Sequence, residues 1–317
     1  MMKRIIQTML TLVLLVFFIV PTSALSSNLI RSENDFVSPA GKTYDEFQNE
    51  LIKKIDSSKN KFIIKINLYE FYRNLADNIL LSSDKNTFSN LEQDKIEAIL
   101  NYKQFFTNQI KDLSRKSIDE LKVLNYSETQ INAILNFDGS EQMLLAASSV
   151  CTVYGGFINY VATSTKTSTT LIAAFDWSGY NGGPTGYGDD IFTVQWTSPF
   201  KRISTLATTV YQDTTTPINH TQYKYPVVNP SGLYADNIIM PKLTYSYSPF
   251  LSYRLKGGSI QSKLETNTYQ SEIAAYAEYG LNVLSFTPSV SVGAGGFGAG
   301  FTYSFSVHKV ASARWYN

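Results

Sequence analysis

The chain has 317 residues, 44% of them hydrophobic and 14% aromatic, with 27 Lys/Arg against 26 Asp/Glu and a formal net charge of +1. That balance excludes a strong overall pull toward nucleic acid or anionic lipid. Cys151 is the single cysteine, which excludes an intramolecular disulfide and leaves core burial to supply stability.

The first residues read MMKRIIQTMLTLVLLVFFIVPTSALSS. Lys3 and Arg4 form a charged start, Ile5 to Val20 are almost wholly apolar, and Thr22-Ser23-Ala24 offer small residues after Pro21. This layout predicts a secretory signal peptide over residues 1–24. The apolar run is short for a membrane span of about 20 residues. With no second long apolar run, no wall-sorting motif and no lipoprotein cysteine in the sequence, the expected location is extracellular or loosely cell-surface associated.

Residues 25–149 are expected to form a helical domain. Charged residues crowd there, and Thr43-x-x-Glu46, Ser89-x-x-Glu92, Ser117-x-x-Glu120 and Ser127-x-x-Gln130 fit the capping box. In that box a hydroxyl accepts from an orphan N–H while the acid or amide reaches back. Ile96, Ile99, Phe106, Ile110 and Leu113 share one helical stripe. Phe62 to Leu81 is apolar on more of its circumference and predicts a central helix. Asp138-Gly139 ends a helix, and Ser140 is placed to cap the next.

Leu121, Leu124, Tyr126, Ser127, Gln130, Ile131 and Ile134 form a pattern that resembles uncharacterised exported proteins of Gram-positive bacteria. The stretch FDWSGYNGGPTGYGDDIFTVQW matches more loosely. The resemblance implies secretion, with a helical N-terminal part and a β-rich C-terminal part. It implies no activity.

Residues 150–317 change grammar. Most of the 21 tyrosines lie here, with Ser, Thr and Gly, while charge thins out. Stretches such as TTLIAAFDW, DIFTVQWTS, ISTLATTVY, TQYKYPVV and LTYSYS predict short strands between turn residues. The fold class expected is α+β: a helical module followed by an antiparallel β-sandwich or barrel-like domain.

Little of this points to catalysis. His220 and His308 are the two histidines, and neither has partners at triad or zinc spacing. Cys151 opens an apolar strand and reads as a buried small residue. The distinctive loop carries Asp176, Trp177, Tyr180, Tyr187, Asp189 and Asp190 around several glycines. Carboxylates beside such a loop suit Ca²⁺, and aromatics with carboxylates suit sugar. Plain turn chemistry, with Trp177 and Trp196 in the core, explains the same composition. No cofactor is implied.

Toward the end, SFTPSVSVGAGGFGAGFTYSFSV alternates small polar and apolar residues about a glycine turn. Val290 and Val292 share a face of one arm, and Phe297, Phe301, Tyr303 and Phe305 share a face of the other. A half-buried hairpin and a membrane-inserting hairpin both have this pattern. The leading expectation is a secreted or cell-surface binding protein without enzymatic activity, its partner a cell-wall glycan or surface protein. A β-pore-forming or bacteriocin-like membrane-active protein is the alternative, and a cell-wall polysaccharide hydrolase a third.

Overall fold

The computed structural model describes residues 36–58, 61–81, 93–179, 182–185, 188–213, 221–230, 233–247, 250–283, 290–292, 301–303 and 307–316. The expected signal peptide, Ser89-x-x-Glu92, Tyr180, Tyr187, His220, Phe297 and Phe305 lie outside the described residues. Val37–Asn317 make one compact unit.

Helices dominate up to Ala147, and local sequence starts them as expected. Helix α1 (Tyr44–Asp56) opens on a capping box between Thr43 and Glu46. After it comes a strand, β1 (Phe62–Asn67), and then α2 (Leu68–Leu81). The single helix expected from Phe62 is therefore corrected. Ile63, Ile64 and Ile66 are β-branched, and β1 pairs antiparallel with β2 (Val150–Ala162), Phe62 opposite Gly155 and Asn67 opposite Val150. The helix starts only where the Asn67 side chain accepts from the Glu70 N–H at 3.2 Å. Helices α3 (Gln93–Leu100) and α4 (Tyr102–Leu113) divide the expected stripe, and Ile99, Phe106, Ile110 and Leu113 are all buried. Capping boxes start α5 (Ile118–Val123) and α6 (Glu128–Leu135), and Ser140 caps α7 (Glu141–Ala147). Among the described residues no helix is long and apolar enough to cross a membrane.

The β-part is antiparallel throughout. Strands β3 (Thr167–Ser178), β4 (Asp189–Trp196) and β5 (Lys201–Asp213) follow β2. Next come β6 (Thr221–Lys224), β7 (Asn229–Pro230), β8 (Ala235–Pro241), β9 (Leu243–Tyr247) and β10 (Phe250–Thr266). The last are β11 (Ala274–Asn282), β12 (Val290–Val292), β13 (Phe301–Tyr303) and β14 (Val307–Tyr316). One sheet has the order β1-β2-β3-β10-β5-β6, with β9 also on β10, and the other has β14-β11-β4-β8-β7. Neither closes into a barrel. Among the described residues β12 and β13 pair only with each other.

The structure corrects one strand boundary. TQYKYPVV is strand only as far as Lys224, because Pro226 has no N–H for a ladder. β10 runs through Gly257 and Gly258. Gly258 packs under the Phe175 ring, where an added Cβ would come within 2.8 Å.

Period-2 alternation sorts β3 between two layers. Leu171, Ala173, Phe175 and Trp177 join the core between the sheets, while Ile172 and Ala174 pack under Phe47, Leu51 and Ile55 of α1. The Phe175 ring centroid is 4.8 Å from Tyr279 and 5.1 Å from Phe192. Leu68, Tyr69, Tyr72 and Phe106 of α2 and α4 belong to this same inter-sheet core. The helical part and the β-part thus share one interior.

Candidate functional site

The end of β3 is where the elements converge. The turn between α5 and α6 lies against it: Asn125, at φ 62°, accepts from the Gly179 N–H at 2.9 Å, and its amide donates to the Trp177 carbonyl at 3.0 Å. Gln130 is buried, accepts from Ser178 Oγ at 2.5 Å and donates to the Ser148 carbonyl at 2.7 Å. Gly179, at φ 84°, sits against Tyr126, and a Cβ there would meet the ring at 2.4 Å. The residues that carry the resemblance to exported proteins thus form a joint between helices and sheet.

The expected loop residues separate into two sites. Asp176 faces α1, where its carboxylate accepts from the Tyr44 hydroxyl and lies 3.3 Å from Lys256 Nζ. Lys256 stands at the β10 bulge between Leu255 and Gly257, donates to the Trp177 carbonyl at 2.5 Å and lies over the Tyr44 ring at 5.1 Å. Burial pushes its ammonium down, against the pull of Asp176.

Trp177 points the other way. Its indole Nε1 donates to Tyr279 Oη at 3.2 Å, and that hydroxyl donates to Asp190 Oδ2 at 2.6 Å. Asp190 Oδ1 accepts from the Asn282 N–H at 3.0 Å and lies 3.1 Å from Lys242 Nζ. Lys242 also donates to the Asn282 carbonyl at 2.8 Å. Asp190 and Lys242 are both buried, and burial raises the Asp190 carboxyl despite three hydrogen-bond donors. Asp189, the next residue along, is only partly buried. Cys151 pairs with Trp177 across the β2–β3 ladder, and burial raises its thiol well above the usual range, which keeps it protonated. Trp177 and Asp190 are thereby engaged inside the fold. Lys242, Tyr279 and Asn282, distant in sequence, complete their network; a lone lysine in the apolar run NIIMPKLTYSY is the one local signal for it.

This network holds the root of the glycine-rich segment. Asn282 ends β11 and stands opposite Val307, which begins β14. The chain therefore leaves the five-stranded sheet and re-enters it at one rung of the ladder. Both peptide groups of Asn282 are held by the Asp190–Lys242 pair. Between departure and return lie β12 and β13, in the register Val290 opposite Tyr303, Ser291 opposite Thr302 and Val292 opposite Phe301. Of the expected hairpin residues, Val290, Val292, Phe301 and Tyr303 fall in this pairing. Among the described residues, no three His, Cys, Asp or Glu side chains are grouped to hold a metal ion.

No family model matches the chain, and no curated protein matches it. Solved structures show a remote likeness. One titled "Pore forming protein" has 6% identity over 53% of this chain and 78% of its own, with a TM-score of 0.20. Clostridium perfringens delta-toxin has 7% identity, covering 54% of this chain and 83% of its own, at a TM-score of 0.22. Clostridium perfringens NetB toxin in its membrane-inserted form has 6% identity, covering 53% and 82%, at 0.18. Scores this low assign neither a fold family nor an activity.

Proposed function

We propose that this is a secreted, non-enzymatic protein that acts on membranes through the ribbon of β12 and β13. The register of that ribbon carries the reading. It sets apolar positions opposite apolar ones, Val290 with Tyr303 and Val292 with Phe301, and the polar pair Ser291 and Thr302 between them. Strand alternation gives such a ribbon one apolar and one polar face. The sequence continues the pattern through Phe297 and Phe305, and Phe297 to Ser306 spans the 9–11 residues that a membrane strand needs. Among the described residues the ribbon pairs with neither main sheet, so its exit breaks none of the described ladders.

The sugar-binding reading is weaker on this geometry, because Trp177 and Asp190 are enclosed by the fold. A hydrolase using Asp176 and Asp190 is weaker too, since the two carboxylates sit in separate networks. The test is release of a trapped dye from phosphatidylcholine/phosphatidylglycerol vesicles by the purified mature protein. Wild type is expected to release dye, and Val292→Asp with Phe301→Asp to abolish release while the melting curve stays cooperative. Retention on purified cell wall without any vesicle leakage would reject the membrane reading in favour of glycan binding.

A further inference from the structure

Helix α1 is joined to the sandwich by contacts separate from the main core. Val37, Phe47, Leu51 and Ile55 close on Ile172, Ala174 and Val210, on the face of the sheet turned away from the inter-sheet interior. The rest of the joint is polar. Gln261 is fully buried, and its side-chain amide accepts from the Val37 N–H at 2.7 Å and donates to the Val37 carbonyl at 2.9 Å. Gln48 of α1 accepts from the Tyr154 hydroxyl and donates to the Tyr44 hydroxyl at 2.9 Å. Tyr44 in turn donates to Asp176, beside Lys256.

The sheet face beneath α1 is polar as well. Ser259 and Gln261 of β10 stand opposite Ala174 and Ile172, and Thr208 of β5 stands opposite Ser259, so all five side chains share that face. The hydroxyls of Thr208 and Ser259 are fully buried, and neither has a hydrogen-bond partner among the described residues. Covering such groups is costly, and water removes the cost.

We propose that Val37–Ser58 is a lid, which lifts from the sheet as a unit while the sandwich stays folded and so uncovers a polar face of β3, β10 and β5. The main interior loses no member when the lid lifts, because the two apolar clusters share no residue. α1 belongs to no ladder, and the amides, hydroxyls, carboxylate and ammonium of the joint are all groups that water can take up. Opening therefore gives up chiefly one small apolar cluster, which places it below global unfolding. The lid is independent of the ribbon, which is rooted in the other sheet.

Two buried lysines report on it. Lys256 lies under α1, 5% exposed, and Lys242 lies in the interior, 1% exposed. The intact chain is pulsed with an amine-acylating reagent in native buffer, and each lysine is read by peptide mass spectrometry. Lys256 is expected to react at least about tenfold faster than Lys242. Leu51→Ala thins the lid's apolar cluster alone, and should speed Lys256 at least about tenfold while leaving Lys242 unchanged. Ser58→Cys/Gly156→Cys locks the lid, since a Cβ on Gly156 would lie 3.1 Å from that of Ser58, near the separation of about 3.8 Å in a disulfide. Oxidation should slow Lys256 at least about tenfold against the same variant reduced. Equal rates at the two lysines, shifting together in Leu51→Ala, would mean that lid and sandwich open as one and would overturn the proposal. Fast reaction at Lys256 that the formed disulfide does not slow would overturn it too.

Discussion

Tyr279→Phe isolates the network at the root of the ribbon, because it keeps the ring and deletes one oxygen. The ring packs against Phe175 at 4.8 Å and Trp177 at 5.8 Å, and these contacts survive. Two hydrogen bonds do not: the donation to Asp190 Oδ2 at 2.6 Å and the acceptance from Trp177 Nε1 at 3.2 Å. A hydrogen bond to a charged group contributes about 1.5–3 kcal/mol, and a buried donor left without an acceptor costs about 1–3 kcal/mol. The expected loss is about 3 kcal/mol, a large part of the roughly 5–15 kcal/mol that holds a domain folded. Urea unfolding followed by tryptophan fluorescence measures it, with unchanged slope as the sign that both states keep their compactness. The pH dependence adds a second check. The Tyr279 hydroxyl stabilises ionised Asp190, so its removal lets a carboxyl already raised by burial rise further. The penalty is therefore full where Asp190 is ionised and shrinks as pH falls through the raised folded value. A loss below about 0.5 kcal/mol, or one that grows in acid, would refute the hydrogen-bond account.

Gly179→Ala forces a Cβ into the Tyr126 ring at a positive φ, and should cost about 2 kcal/mol or more in thermal or urea unfolding. Asp190→Leu leaves the Lys242 charge buried without its partner and should cost about 3–5 kcal/mol; adding Lys242→Met should recover most of that loss, as a double-mutant cycle will read. The capping acids Glu46 and Glu120 are held below their ordinary values by hydrogen bonds from Thr43 and Ser117, so their contribution is present at neutral pH and lost as pH falls through the folded values. Burial raises Asp190 and Asp236, which gives them the opposite sign. Acid titration followed by circular dichroism should therefore fray α1 and α5 before the sheets respond.

Features set by neighbours in sequence were legible. The three described capping boxes form as spaced, because the hydroxyl and the acid or amide lie within one helical turn. In the register of β12 and β13 like positions of the alternation stand opposite each other, Val292 with Phe301, though alternation alone does not choose among registers two residues apart. The change of composition near residue 150 falls where α7 gives way to β2. What escaped depends on distant partners. β1 reads as a helical stripe until β2, far along the chain, supplies its ladder. β8, ADNIIMP, has too little alternation to declare itself, since β4 and β7 flank it and all its residues but Ile239 and Pro241 are enclosed. Asp190 reads as a surface turn residue, because the lysine that makes its burial tolerable lies beyond four further strands. Acid and aromatic residues are common to ligand sites and to interior polar networks, so the burial of Trp177 and Asp190 is not legible from the loop's composition.

The ribbon starts and ends on one rung, Asn282 opposite Val307. Beyond the buried Val283, that segment is in topology an insertion, and the closure part of its cost grows only as the logarithm of the residue number. Selection can lengthen, shorten or replace it without moving a single hydrogen bond of β11, β4 or β8. Variation among natural versions of this sandwich should accumulate there, and a foreign hairpin grafted between these two residues should leave the scaffold folded.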